Sequence, residues 1–298
     1  MADPDFANAR VTIVGLGLMG GSLAAALSIN HACGSIVGVA RRRSTLATAR
    51  ALRFIDEGTT DLAEGVSAAD LVIVCTPVND IIEKLGALGP LVKPGCVVMD
   101  VGSTKSAICA AMETMPEHVQ PLGAHPMCGK ETSGLTMAEP SLYQDKIFVL
   151  TPLPRTSERT VALGHALIAA VGARPLVLDP ARHDRLVAII SHLPYLMAVA
   201  LVNAADSLAG RPGERPSAKD PLAWTMAASG FRDTSRVAGG SIPMMMDILV
   251  TNREPVLHSL IEAREQIDRL VECLEAADFE ALEALLQAAR HRRTEVFR

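Results

Sequence analysis

The stretch Arg10-Val-Thr-Ile-Val14-Gly15-Leu-Gly17-Leu-Met-Gly20-Gly-Ser-Leu-Ala-Ala-Ala-Leu27 decides the fold. Its first five residues read as a short buried strand. Three spaced glycines follow, then an alanine- and leucine-rich run of helical character. Strand, glycine turn and helix in this order are what a bound pyrophosphate needs. Gly15 permits the tight turn, Gly17 lets backbone amides approach the phosphates, and Gly20 lets helix and strand pack closely. Leu18 and Met19 open the helix, whose N-terminus faces the negative charge. Gly15, Gly17, Leu18, Met19 and Gly20 are therefore candidate cofactor-binding residues.

A second strand, Ser35-Ile-Val-Gly-Val-Ala40, follows at the distance that a nucleotide-binding unit requires. An NAD-binding chain usually ends this strand in Asp or Glu, which accepts hydrogen bonds from the ribose 2′-hydroxyl. Here Ala40 is followed by Arg41, Arg42, Arg43 and Ser44. A carboxylate would repel a 2′-phosphate, whereas a guanidinium can bind it through paired hydrogen bonds. The expected cofactor is NADP in preference to NAD, held by Arg41, Arg42 and Ser44, with Arg43 stacking on the adenine or facing solvent.

The chain has 298 residues, 49% of them hydrophobic but only 3% aromatic, so aliphatic side chains must build its cores. A net charge of −5 argues against nucleic-acid or membrane partners recruited by charge. The N-terminus lacks a basic region followed by an apolar run, and apolar stretches are interrupted by charge or proline. Six cysteines without paired spacing point to neither disulfides nor a metal site, and suit a reducing cytoplasm.

Asp70–Cys75 and Cys96–Val101 are near-continuous apolar runs, as parallel strands covered on both faces require. Lys146–Leu150 and Arg174–Leu178 read as further strands, with a helix at Ala162–Val171 between them. After Asp179-Pro180 the strand signals stop. His183–Leu208 has helical character, with Pro194 near a helix start or kink, and Ala209–Pro221 reads as an exposed loop. From Glu254, Leu257, Leu260, Ile261, Ile267, Leu270, Val271 and Leu274 form an amphipathic stripe, and Asp278 can cap one more helix. The expected fold class is α/β: a Rossmann-type doubly wound N-terminal domain (1–178) followed by an all-α C-terminal domain (179–298). Apolar stripes this wide favour a homodimer.

Ligands of doubly wound sheets bind beyond the carboxyl ends of the strands. Cys75, Thr76 and Pro77 stand at one such end, where they would abut the nicotinamide ribose. Ser103, in Asp100-Val-Gly-Ser-Thr-Lys105, stands at another. His125 opens a third segment, Gly123–Gly134. A neutral imidazole suits removal of a hydroxyl proton as hydride leaves the same carbon, though a His-Pro pair can also be an ordinary loop. Arg232 and Arg236 are four apart and on a helix could grip carboxylates together, or be a surface pair neutralised by Asp233.

Together these segments resemble the prephenate/arogenate dehydrogenases of tyrosine biosynthesis. The resemblance rests on Val14–Ser22, Gly102-Ser-Thr-Lys105, His125-Pro-Met-Cys-Gly-Lys-Glu-Thr-Ser-Gly134, Phe148–Pro152, Ser191-His-Leu-Pro194, Gly230-Phe-Arg-Asp-Thr-Ser-Arg236 and Asn252-Arg-Glu254. It implies a cyclohexadienol substrate whose hydride passes to the nicotinamide while the ring carboxylate leaves as carbon dioxide. His125 and Ser103 become the catalytic residues; Arg236, Arg232, His192 and Glu131 become substrate-binding, with Glu131 gating the pocket. The family's helical domain dimerises. Two departures stand out: Cys128 where the family often has alanine, and Pro243–Asp247 where it often has a tryptophan. The alternatives are a β-hydroxyacid dehydrogenase, which would need a lysine in the helical half where only Lys219 is offered, and a non-catalytic NADP-sensing protein, which would not need His125, Ser103 and the arginines together.

Overall fold

The computed structural model describes residues 4–129, 132–209 and 222–297. Its first compact unit spans residues 1–253 and the second 254–298. The first unit holds one sheet of strands β1 (Arg10–Val14), β2 (Ser35–Val39), β3 (Glu57–Thr59), β4 (Leu71–Val74), β5 (Val97–Asp100), β6 (Gln120–Pro126), β7 (Ile147–Thr151) and β8 (Arg174–Val177). Across the sheet they run β3-β2-β1-β4-β5-β6-β7-β8. All neighbours are parallel except β6 and β7.

The helices of seven or more residues in this unit are α1 (Leu18–Ile29), α2 (Arg43–Ala51), α3 (Val78–Leu88), α4 (Ser106–Glu113), α5 (Glu158–Ala170), α6 (Pro180–Val187), α7 (Leu193–Leu208), α8 (Ser229–Ser235) and α9 (Ile242–Thr251). Strand β4 shows why both faces are covered. Leu71 and Ile73 join one core with residues of α1 and α5, while Val72 and Val74 join the other with residues of α3 and α4. A strand buried on both faces has no polar position left, hence its unbroken apolar sequence.

Six of the eight strands are those expected from the sequence. Short β3 lacks an apolar pattern. Strand β6 contains Pro121, Gly123 and Pro126, residues that argue against a strand. It forms because it changes partners along its length: Gln120–Leu122 pair with β5, and Gly123–Pro126 pair with β7. His125 is therefore a strand residue rather than a loop residue.

Asp179 caps α6, accepting from the Arg182 N–H at 3.0 Å, with Pro180 in the first turn. Between α6 and α7 lies a π-helical turn, Ala188–His192. It absorbs Pro194, which has no N–H to give, so the helix runs unbroken over 29 residues from Pro180 to Leu208. By length and composition this helix could cross a membrane. It is longer and more continuous than its proline and charges suggested.

The second unit consists of α10 (Arg253–Glu275), whose first residue belongs to the first unit, and α11 (Phe279–Val296). Ala277 turns the chain with φ +51°, and Asp278 accepts from the Ala281 N–H at 3.0 Å to start α11. Ile267, Leu270, Val271 and Leu274 are all exposed.

Candidate active site

The strand order reverses between β1 and β4, and a cavity of about 670 Å³ opens there beyond the strand ends. Gly15, Leu16 and Gly17 line it after β1; Ala40, Arg41, Arg42 and Thr45 after β2; Cys75, Thr76 and Pro77 after β4. Gly15 has φ +98°, a conformation that side chains rarely adopt. A Cβ on Gly20 would lie 2.0 Å from the Gly15 carbonyl oxygen, so Gly20 serves close packing. A Cβ on Gly17 would meet nothing among the described residues within 4 Å, which leaves room there for a ligand.

Two features fit a dinucleotide here. The Thr76 hydroxyl is buried without a partner among the described residues, an arrangement that a ligand hydroxyl or amide can complete. The end of β2 presents Arg41 and Arg42 and no acid. Four residues expected at the cofactor, Leu18, Met19, Gly20 and Ser44, do not line the cavity. Thr45 lines the cavity where Ser44 was expected, because Arg42 is the cap of α2 and the third position beyond it faces inward. Leu18 is buried, and the Met19 carbonyl accepts from the Tyr143 hydroxyl at 2.7 Å, which braces the first turn of α1.

At the ends of β5 and β6 the polar groups are tied tightly. Asp100 Oδ1 accepts from the Ala124 N–H at 2.9 Å, and Oδ2 accepts from the Gly102 N–H at 2.7 Å and from Lys105 Nζ. Lys105 Nζ also donates to the Ala124 carbonyl at 2.6 Å. Asp100 and Lys105 are fully buried, so this ion pair pins the backbone residue immediately before His125. Ser103 stands half-buried in the same β5–α4 loop.

His125 is held from behind. Its Nδ1 lies 2.8 Å from His183 Nε2, and His183 Nδ1 lies 2.8 Å from Asp184 Oδ1. Asp184 accepts from the backbone N–H of Lys105 at 2.7 Å and of Ser106 at 2.8 Å, capping α4 from a different element. Burial opposes ionisation of Asp184, but hydrogen bonds from His183, Ser106 and Lys105 outweigh it and hold the carboxyl below its ordinary value. Burial, then His183, Lys105 and His192, press the His125 pKa well below that of a free histidine, so the ring is neutral at neutral pH. His183 and Asp184 were not singled out in the sequence. They lie inside the polar run Arg182-His-Asp-Arg185, and no local pattern separates the two that are buried from the exposed arginines that flank them.

The resemblance places His192 beside the substrate. The structure buries it to 1% exposure in the π-helical turn, where its Nδ1 faces Asn252 Nδ2 at 3.2 Å. Asn252 also donates to the Asp184 carbonyl at 2.8 Å, so His192 joins the His183–Asp184 network. Arg232 and Arg236 do not share one α-helix: α8 ends at Ser235, and Arg236 opens a 3-10 turn. Arg232 is exposed and pairs with Asp233 at 3.4 Å. Asp247, in the Pro243–Asp247 segment, accepts from Asn79 N–H and Nδ2 and so ties α9 to α3. Glu131 and Lys219 lie outside the described residues.

Two family models match this chain: prephenate dehydrogenase, nucleotide-binding domain, over residues 23–177, and prephenate dehydrogenase, dimerization domain, over residues 179–288. A prephenate dehydrogenase of Bacillus subtilis is 31% identical over 284 residues, 94% of this chain and 74% of the relative. A crystal structure of Synechocystis arogenate dehydrogenase superposes with a TM-score of 0.82 at 32% identity, covering 96% of this chain and 99% of the other. That of prephenate dehydrogenase from A. aeolicus, in complex with hydroxyphenyl propionate and NAD+, gives 0.87 at 28% identity, covering 97% and 98%.

Proposed function

The chain belongs to the prephenate dehydrogenase family, and from that premise we propose that it catalyses the NADP-dependent oxidative decarboxylation of arogenate or prephenate. The observation that carries this reading is His125, a neutral histidine anchored through one ring nitrogen at the carboxyl edge of the sheet that bears the dinucleotide cavity. Gly15, Gly17, Thr76 and Pro77 would hold the dinucleotide, and Arg41, Arg42 and Thr45 its 2′-phosphate. Hydride acceptance is the chemistry that the nicotinamide supplies when bound.

His125 takes the proton of the ring hydroxyl as the hydride leaves the same carbon. The bond to the ring carboxylate then breaks, its electron pair enters the ring, and carbon dioxide departs. Aromatisation drives the step downhill, so the protein's task is largely positioning. Ser103 assists at the hydroxyl, and Arg236 with Arg232 binds substrate carboxylates. Residues 1–178 serve the nucleotide, and residues 179–298 serve the substrate and a second subunit. The dimerisation model over 179–288 and the exposed stripe Ile267, Leu270, Val271 and Leu274 support a homodimer. The six unpaired cysteines suit the cytoplasm.

Steady-state assays of the purified chain with arogenate and with prephenate, each against NADP and NAD, test the reading. Turnover is expected with NADP and at least one of the two substrates. His125→Asn is expected to lower kcat by about a hundredfold or more while NADP still binds. Near-normal turnover in that variant overturns the role of His125.

A further inference from the structure

Asp184 and His183 bear on which nitrogen of His125 can act. Both carboxylate oxygens of Asp184 accept backbone N–H groups at the start of α4, and Oδ1 also faces His183 Nδ1. A carboxylate has only acceptors to offer, so His183 must present Nδ1–H to it. In a neutral His183, that leaves Nε2 as a lone pair. His183 Nε2 faces His125 Nδ1 at 2.8 Å, so His125 Nδ1 must be the donor across that contact. A neutral His125 then carries its free lone pair on Nε2, the nitrogen turned away from His183.

We propose that His183 and Asp184 are positioning residues that lock His125 in the Nδ1–H tautomer, so that Nε2 is the atom that receives the substrate proton. The assignment rests on His125 being the base. Asp184 sits 59 residues along the chain from His125 but one hydrogen-bonded ring away from it. When Nε2 takes the proton, His125 becomes an imidazolium whose Nδ1–H stays shared with His183. The ionised Asp184 behind them stabilises that charge, and no proton needs to reach the carboxylate. The charged and titratable groups around this relay are Asp184, Lys105 and His192.

Asp184 also caps α4, so replacing it confounds folding with tautomer, and the test uses the intact chain and His183. In the 15N-histidine-labelled full-length protein, long-range proton–nitrogen spectra above pH 7 should show His125 with Nδ1 protonated and Nε2 bare. An Nε2–H tautomer overturns the proposal directly, whether or not any variant folds. His183→Leu removes the acceptor. It is expected to lower kcat by roughly 10²-fold with little change in substrate KM, and to admit the Nε2–H form of His125. His183→Gln, whose carbonyl can accept the same N–H, should recover at least about tenfold of that loss. A folded His183→Leu with unchanged kcat and an unchanged His125 tautomer also overturns the relay. An active His125→Asn would remove the base assignment yet leave the tautomer measurement to be read on its own.

Discussion

Lowering the pH from 7 to 5 should cost this fold about 2 kcal/mol through one side chain, His192. The ring is 1% exposed. Burial, reinforced by His183 and opposed by Asp184, brings its pKa from 6.5 down to about 4. In the unfolded chain the same ring takes up a proton near pH 6.5. Between those two values the unfolded state binds more protons than the native state, so stability is full above pH 6.5 and falls with the pH. A gap of about 2.5 pH units is worth up to about 3.4 kcal/mol, of which about 2 is already lost at pH 5. The measurement is urea unfolding followed by far-ultraviolet circular dichroism at pH 7, 6 and 5, with the protomer concentration held constant. The comparison is His192→Asn, whose Oδ1 can accept from Asn252 where Nδ1 does but cannot titrate. The parent should lose about 2 kcal/mol more than the variant across this range. Parallel pH profiles for the two would refute a His192 buried neutral in the fold.

Two further perturbations address the cofactor cavity. Thr76→Val removes a buried hydroxyl with no partner among the described residues. The ligand-free protein should keep or slightly raise its Tm, while NADP binding by fluorescence titration weakens about tenfold; undiminished affinity would mean that the hydroxyl does not meet the cofactor. Replacing Arg41 and Arg42 by alanine should narrow the NADP-over-NAD ratio of kcat/KM by weakening NADP alone, with a ΔΔG of about 1.5–3 kcal/mol for lost hydrogen bonds to a charged group. An unchanged ratio would remove both arginines from the phosphate site.

What could be read from the sequence is what neighbouring residues create together. The glycine turn needs only Gly15, Gly17 and Gly20 between a strand and a helix, and its backbone conformation is the one expected. The end of β2 was legible for the same reason, although the helical phase of α2 moved the inward hydroxyl from Ser44 to Thr45. Strand β6 was hidden because Pro121, Gly123 and Pro126 contradict local propensity, and only pairing with β5 on one part and β7 on another makes it a strand. The network behind His125 was hidden more completely. Nothing in His183-Asp184 points to a partner 58 residues upstream, and the topology alone brings α6 against the start of α4, where Asp184 meets two backbone N–H groups. The difference is physical. A residue type can nominate a base, since imidazole is the side chain that titrates near neutrality. Which of its nitrogens is usable depends on the hydrogen bond at the other one, and here that bond is made by a residue from a distant segment. Reactive groups of this kind can be nominated from chain order, whereas the groups that aim them emerge only once the sheet and helices have closed around them.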